Sequence, residues 1–307
     1  MRALIAYDAS AGSEQAVSLV LAMPWPTGSE VRAVAVVEPS ASWVPAMPVM
    51  SPRLVPSPEI ESRIVDHLET EVARIVRQLK AAHLNATGVV LRGRPATVLI
   101  DEAQRVGADL IVGGSRGHGP IASLVLGSIS GELVDTAPCP VLVARGSSAK
   151  RVLLASDGSP SARQAEDVLA GWPIFDDATI RVLSVVEVVR PWHTGVAPTM
   201  YPAVIEAHRK ELESAKSEFE SVASAAAARL RAANRTVDSN LRVGDAAAEI
   251  VEEASSWGAD VVVLGSRGLT GLSRIVLGSV ARNVLQASQT SVLVVRSGAE
   301  AGSEKEG

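Results

Sequence analysis

Two stretches decide how this chain folds: Asp109–Ser128, DLIVGGSRGHGPIASLVLGS, and Asp260–Ser279, DVVVLGSRGLTGLSRIVLGS. Ten of the 20 positions are identical at a constant offset of 260 − 109 = 151. Each opens with a short β-branched run, passes through glycines and ends on Gly-Ser, so each reads as a buried strand, a loop and the start of a helix. A self-similar block of this kind points to a duplicated unit.

Working outward, the duplication extends to both ends of each block. ALIAYDAS around Asp8 corresponds to VLLASDGS around Asp157, and VRAVAVVE ending at Glu38 to IRVLSVVE ending at Glu187, both at an offset of 149. An insertion of two residues between the blocks reconciles the two offsets. Each copy predicts a strand (Ala3–Tyr7; Val152–Ser156), a helix (Ser13–Ala22; Ser161–Ala170) and a second strand (Val31–Val37; Ile180–Val186). A proline-rich loop and a long helix follow. In the first copy Ile60, Ile64, Leu68, Val72, Ile75 and Leu79 are spaced by three and four, one apolar face. A third strand, a short helix, the aspartate-led fourth strand, the glycine loop, another helix and a last strand (Val141–Ala144; Val292–Val295) complete the unit. Strands alternating with helices give parallel pairing with right-handed crossovers, a sheet covered on both faces. The expected domains are 1–146 and 150–296, with a polar, disordered tail over 297–307.

Composition narrows the classes of function. The chain has 307 residues, 47% hydrophobic and only 3% aromatic, so Val, Leu, Ile and Ala fill the cores. The net charge is −5 with scattered basic residues, which argues against a nucleic-acid partner. Cys139 is the single cysteine, so no disulfide can form within the chain, and a reducing cytoplasm is the expected setting. No stretch has the roughly 20 apolar residues of a membrane span, and the N-terminus lacks a signal-peptide pattern.

The glycine loop carries the chemistry. Gly114, Gly117, Gly127 and Ser128 are spaced as G-x2-G-x9-G-S, and Gly265, Gly268, Gly278 and Ser279 repeat the spacing, with Arg116 and Arg267 in the same slot. A glycine just past the carboxyl end of a buried strand sits where open α/β sheets bind ligands and lets backbone N–H groups approach an anion. Ser128 and Ser279 read as N-caps that add a hydroxyl and a positive helix end. Asp8 and Asp157 each lack a second acidic residue at a telling spacing, which favours accepting hydrogen bonds, from backbone N–H groups among others, over catalysis. There is no Walker-type lysine and no dinucleotide fingerprint. The histidines show no metal-ligand spacing, with His67, His83 and His208 expected on helix surfaces and His118 near the loop. Cys139 reads as a packed thiol. Trp43 and Trp192 occupy matching places in the proline-rich loops.

The aspartate at the end of the first strand, with G-x2-G-x9-G-S after the fourth, resembles the universal stress protein family in its tandem, ATP-binding form. The resemblance implies two Rossmann-like domains, each a five-stranded parallel sheet of order 3-2-1-4-5. It also implies adenine-side contacts at Asp8, Val36, Asp157 and Val185. Phosphate and ribose contacts would fall on Gly114, Arg116, Gly117, Gly127, Ser128 and Ile129, and on Gly265, Arg267, Gly268, Gly278, Ser279 and Val280. The first copy departs in having Ala9 where the second has Gly158, and His118-Gly119-Pro120 in place of Leu269-Thr270-Gly271.

The expected function is an ATP-binding stress-response regulator that holds the nucleotide, with Mg²⁺ as an accompanying ion, in up to two clefts with little or no hydrolysis. A slow Mg-dependent ATPase and a dimerising interaction module with vestigial nucleotide sites stand beside it. The last strand of each copy, at a sheet edge, invites pairing, so a homodimer and an unidentified protein partner are further expectations.

Overall fold

In the first half of the chain, β-branched runs and amphipathic stretches alternate as the sequence implies. The structure, a computed structural model, describes residues 1–38, 58–115, 126–187, 201–268 and 277–296. The chain divides after Ser147 into two units.

The first unit runs β1 (Arg2–Tyr7), α1 (Ala11–Ala22), β2 (Glu30–Val37), α2 (Pro58–Ala81), β3 (Asn85–Arg92), α3 (Pro95–Val106), β4 (Leu110–Gly114), α4 (Ser128–Thr136) and β5 (Val141–Ala144). The second runs β6 (Arg151–Ala155), α5 (Pro160–Gly171), β7 (Thr179–Val186), α6 (Tyr201–Ala232), β8 (Thr236–Val243), α7 (Ala246–Trp257), β9 (Val261–Gly265), α8 (Ser279–Ala287) and β10 (Ser291–Val295). A 3₁₀ turn at Pro173–Phe175, which the sequence reading did not anticipate, buries Ile174 and Phe175 after α5.

Within the first unit the strands lie in the order β3-β2-β1-β4-β5, and within the second β8-β7-β6-β9-β10. All pairs within each unit are parallel. This is the 3-2-1-4-5 order in both, and the winding reverses between the first and fourth strands, where a crevice opens at their carboxyl ends.

Helices cover the sheets, so the central strands are apolar throughout. Leu4, Ile5, Leu110, Ile111, Val112 and Leu142 are fully buried, as are Leu153, Leu154, Val262, Val263 and Leu293 in the second unit. Helix α2 buries Leu68, Val72, Ile75 and Leu79, but Ile60 and Ile64 of the same stripe are exposed. The mismatch is one of length. Twenty-four helical residues span about 36 Å, whereas the eight residues of β2 or β3 span about 26 Å, so the first turns of α2 run past the sheet.

His67 is on the exposed surface of α2, and His208 is half-buried on α6. His83 is exposed but lies past the end of α2 with φ 63°, in the turn before β3 rather than on the helix. Cys139 is buried just before β5. Its thiol is pushed up to about 12, first by burial and then by the Asp109 charge, so it is a packed group and not a nucleophile. Trp43, Trp192, His118, His193 and the 297–307 tail lie outside the described residues.

Candidate functional site

The site starts where β1 and β6 end. Register pairs Tyr7 with Ala35 and Ala155 with Leu183, which brings Asp8 beside Val36 and Asp157 beside Val185. Each aspartate then holds a turn. The Ser10 N–H donates to Asp8 Oδ1 at 3.0 Å, and the Ser159 N–H donates to Asp157 Oδ1 at 3.0 Å. Each serine caps the following helix, its Oγ accepting from Ser13 N–H or Ala162 N–H at 3.2 Å. The residue between aspartate and serine must adopt positive φ: Gly158 at 77°, Ala9 at 60°. Glycine does this without strain and alanine does not.

These serines were not singled out as site residues in the sequence, although Asp-x-Ser at the strand end is in both copies and combines an Asx turn with an N-cap. Next to Asp8, the buried Tyr7 hydroxyl donates to Glu14 and accepts from Arg74 at 3.0 Å. Burial, then the Glu14 contact, holds that hydroxyl well above its ordinary pKa, so it stays protonated.

The glycine loops close by a shared device. Gly127 N–H donates to Ser115 O at 2.9 Å, and Gly278 N–H donates to Ser266 O at 2.8 Å. Ser115 and Ser266 are themselves tied to the last strands, donating to Ala144 O and Val295 O. The third glycine of each motif is thereby returned to the residue after the first.

Two readings of single residues change here. Gly127 and Gly278, not Ser128 and Ser279, are the N-caps of α4 and α8, and neither end has a side-chain cap. Ser128 and Ser279 are exposed first-turn residues, while Ile129 and Val280 follow them, half-buried. Gly114 and Gly265 have a packing reason for lacking a side chain. A Cβ on Gly114 would lie 2.3 Å from Gly12 C, and one on Gly265 would lie 2.5 Å from Ser161 C, so the start of α1 or α5 rests on the strand end.

In the second unit, further contacts draw the pieces together. Arg267 N–H donates to Ser161 Oγ at 3.2 Å, and Ser159 Oγ lies 3.5 Å from Arg267 O. A Cβ on Gly268 would lie 2.7 Å from Asp157 Oδ2, and one on Gly278 would lie 3.3 Å from Arg267 Cα. Asp157, Gly265, Arg267, Gly268 and Gly278 therefore share one crevice. In the first unit Asp8, Gly114 and Gly127 take the corresponding places, and Ser130 Oγ donates to Gly114 O at 2.6 Å, a bond that Ala281 cannot make. Arg116 and Gly117 lie outside the described residues.

Chemically, each crevice pairs a carboxylate able to accept hydrogen bonds with uncapped N–H groups at a helix start, a donor set suited to an anion. Among the described residues no group of three His, Cys, Asp or Glu side chains is placed to hold a metal ion, and no helix is long and apolar enough to cross a membrane.

An open parallel α/β sheet of order 3-2-1-4-5, with an aspartate at its winding reversal, defines a Rossmann-like class of fold. The chain belongs to the universal stress protein family, whose model matches residues 1–145 and 148–296. It is 27% identical over 299 residues to a universal stress protein of Mycolicibacterium smegmatis, covering 95% of this chain and 96% of that one. It is 33% identical over 148 residues to a universal stress protein of Thermus aquaticus, 46% of this chain and 96% of that shorter one. Among solved structures, a universal stress protein from Archaeoglobus fulgidus aligns over 96% of this chain and 98% of its own with a TM-score of 0.63 at 16% identity, a likeness of fold.

Proposed function

We propose that the chain is a stress-response regulator that binds ATP at the carboxyl ends of its strands, in up to two clefts, and holds it with little or no hydrolysis. The observation that carries this reading is the approach of Gly268 to Asp157. It sets the loop expected at the ribose and phosphates beside the carboxylate expected at the adenine, within one crevice. Family membership and the identical closure of both loops, Gly127 to Ser115 and Gly278 to Ser266, support it.

In this reading the base amino group donates to Asp8 or Asp157 beside Val36 or Val185. The phosphates lie over Gly127-Ser128-Ile129 or Gly278-Ser279-Val280, at the start of α4 or α8. Arg267 and Gly268, and the matching Arg116 and Gly117 of the first copy, are the loop contacts that the family resemblance implies. Mg²⁺ enters as part of the Mg–ATP ligand, with phosphate oxygens as its donors. The holding role suits aspartates that already fix a backbone turn through Oδ1. Bound nucleotide would bias the surface offered to a partner protein or a second copy in the cytoplasm.

Calorimetric titration of Mg–ATP into the purified chain tests this. Two equivalents, one removed by Gly117→Val and the other by Gly268→Val, are expected. No heat and no competition by any adenine nucleotide would overturn it. A phosphate-release assay tests the holding role, and turnover well above a double-variant control would replace it with slow hydrolysis.

A further inference from the structure

At the opposite ends of the strands, the amino ends, the two units share a frame but not its contents. In the second unit Trp257, the last residue of α7, lies under two guanidinium groups, with the Cζ atoms of Arg151 and Arg181 each 4.7 Å from the ring centroid. Arg181 is held there by Asp238, through Nε at 2.9 Å and Nη2 at 2.6 Å, and by Glu253 at 3.1 Å.

The first unit repeats the two arginines and the glutamate of this frame. Arg2 and Arg32 stand at the places of Arg151 and Arg181 (offset 149), and Glu102 at the place of Glu253 (offset 151). Arg32 Nε bonds Glu102 and its Nη1 donates to Thr87 at 3.1 Å, Thr87 being the strand neighbour that Asp238 is to Arg181. The left-handed glycine ending each helix touches the same arginine. A Cβ on Gly107 would lie 2.9 Å from Arg2 Nη1, and one on Gly258 would lie 3.3 Å from Arg151 Nη1.

The ring is missing, because Val106 stands where the second unit has Trp257. A cleft of about 270 Å³ is found there, lined among others by Arg2, Glu30, Arg32, Thr87, Arg105 and Val106. That volume is just below the roughly 300–1,000 Å³ of drug-sized ligand pockets, which limits an occupant to one or two rings. Guanidinium groups held over an aromatic face attract it electrostatically. At the rim Arg105, 60% exposed, replaces the Ser256 of the second unit; its Nε and Nη2 donate to Glu102 at 2.7 Å, and Nη1 is the donor it offers to an anion.

We propose that this cleft binds a small aromatic carboxylate, its ring taking the place that Trp257 fills in the second unit and its carboxylate meeting Arg105. The site is independent of the nucleotide clefts, which lie at the other ends of the same strands.

The test is calorimetric titration of the full chain with 2-naphthoate, beside the uncharged 2-naphthylmethanol. The expected result is one equivalent of naphthoate that ATP does not displace. Val106→Trp supplies the chain's own ring and abolishes binding, while Trp257→Val opens a second, weaker equivalent. Arg105→Ser weakens naphthoate about ten-fold, the loss of one charge-assisted contact, and leaves naphthylmethanol unchanged. The proposal is overturned by the absence of saturable naphthoate binding up to millimolar concentration, by displacement with ATP, or by binding that persists in a folded Val106→Trp chain. Should Val106→Trp not fold, Arg105→Ser decides, and equal affinities of that variant and the wild type for naphthoate overturn the proposal.

Discussion

Gly268 faces the Asp157 carboxylate so closely that a Cβ would stand 2.7 Å from Oδ2. The atom in the way is the end of a side chain, which can swing aside, so a larger residue here displaces the carboxylate while leaving the strand packing alone. Gly268→Val is expected to weaken ATP at the second cleft by roughly ten- to a hundred-fold, the range of an overpacking penalty. Its melting temperature should stay near that of the wild type. Calorimetry with differential scanning measurements checks both parts.

Gly114 and Gly265 predict the opposite pattern. Their Cβ atoms would meet backbone atoms of α1 and α5 at 2.3 and 2.5 Å, and backbone cannot swing aside. Gly114→Ala or Gly265→Ala should therefore cost about 3 kcal/mol of stability, at or near the upper end of overpacking penalties. Urea denaturation reads this directly, with or without nucleotide.

Ala9 holds the turn between Asp8 and Ser10 at φ 60°, where the second unit has glycine. Ala9→Gly relieves left-handed strain but frees the unfolded chain, and the net expectation is a gain of about 0.5–1 kcal/mol. A rise in the urea midpoint with an unchanged slope would bear this out, and a fall would show that the turn tolerates the side chain.

Glu102 is buried between Arg105 and Arg32. Hydrogen bonds from Arg105 first, then Arg32, hold its carboxyl below the ordinary glutamate range against burial, which pushes it up. A depressed folded-state pKa adds stability that is present above the unfolded value and is lost as pH falls through the folded one. Glu102→Gln should cost about 2–3 kcal/mol at pH 7, less than a fully buried pair because Arg105 stays hydrated. Its stability should also fall less steeply than the wild type's between pH 5 and 3. Urea midpoints across that range test the sign.

Much of this was legible because the chain is written twice. The offsets of 151 between the glycine blocks and of 149 between the first strands match Gly114 to Gly265 and Asp8 to Asp157, and the strand order that the family resemblance implies sets Asp8 with Gly114 and Asp157 with Gly265. What was not legible depends on geometry that a motif does not encode. A Gly-Ser pair allows either residue to cap a helix, and the closure of Gly278 onto Ser266 makes the glycine the cap. The spacing of α2 continued its apolar stripe through Ile60 and Ile64, yet the sheet ends before the helix does. The exchange of Trp257 for Val106 is visible in the aligned copies, but its meaning appears only when Arg151 and Arg181, distant in sequence, close over the ring.

The single thiol has a practical consequence. Cys139 is 7% exposed and its thiol is raised to about 12, so at neutral pH it offers almost no thiolate. The native chain is therefore a silent background for maleimide chemistry. A cysteine introduced at exposed Ser128 or Ser279 would be the position that takes a fluorophore, and each cleft could report its own occupancy without any native residue being removed first.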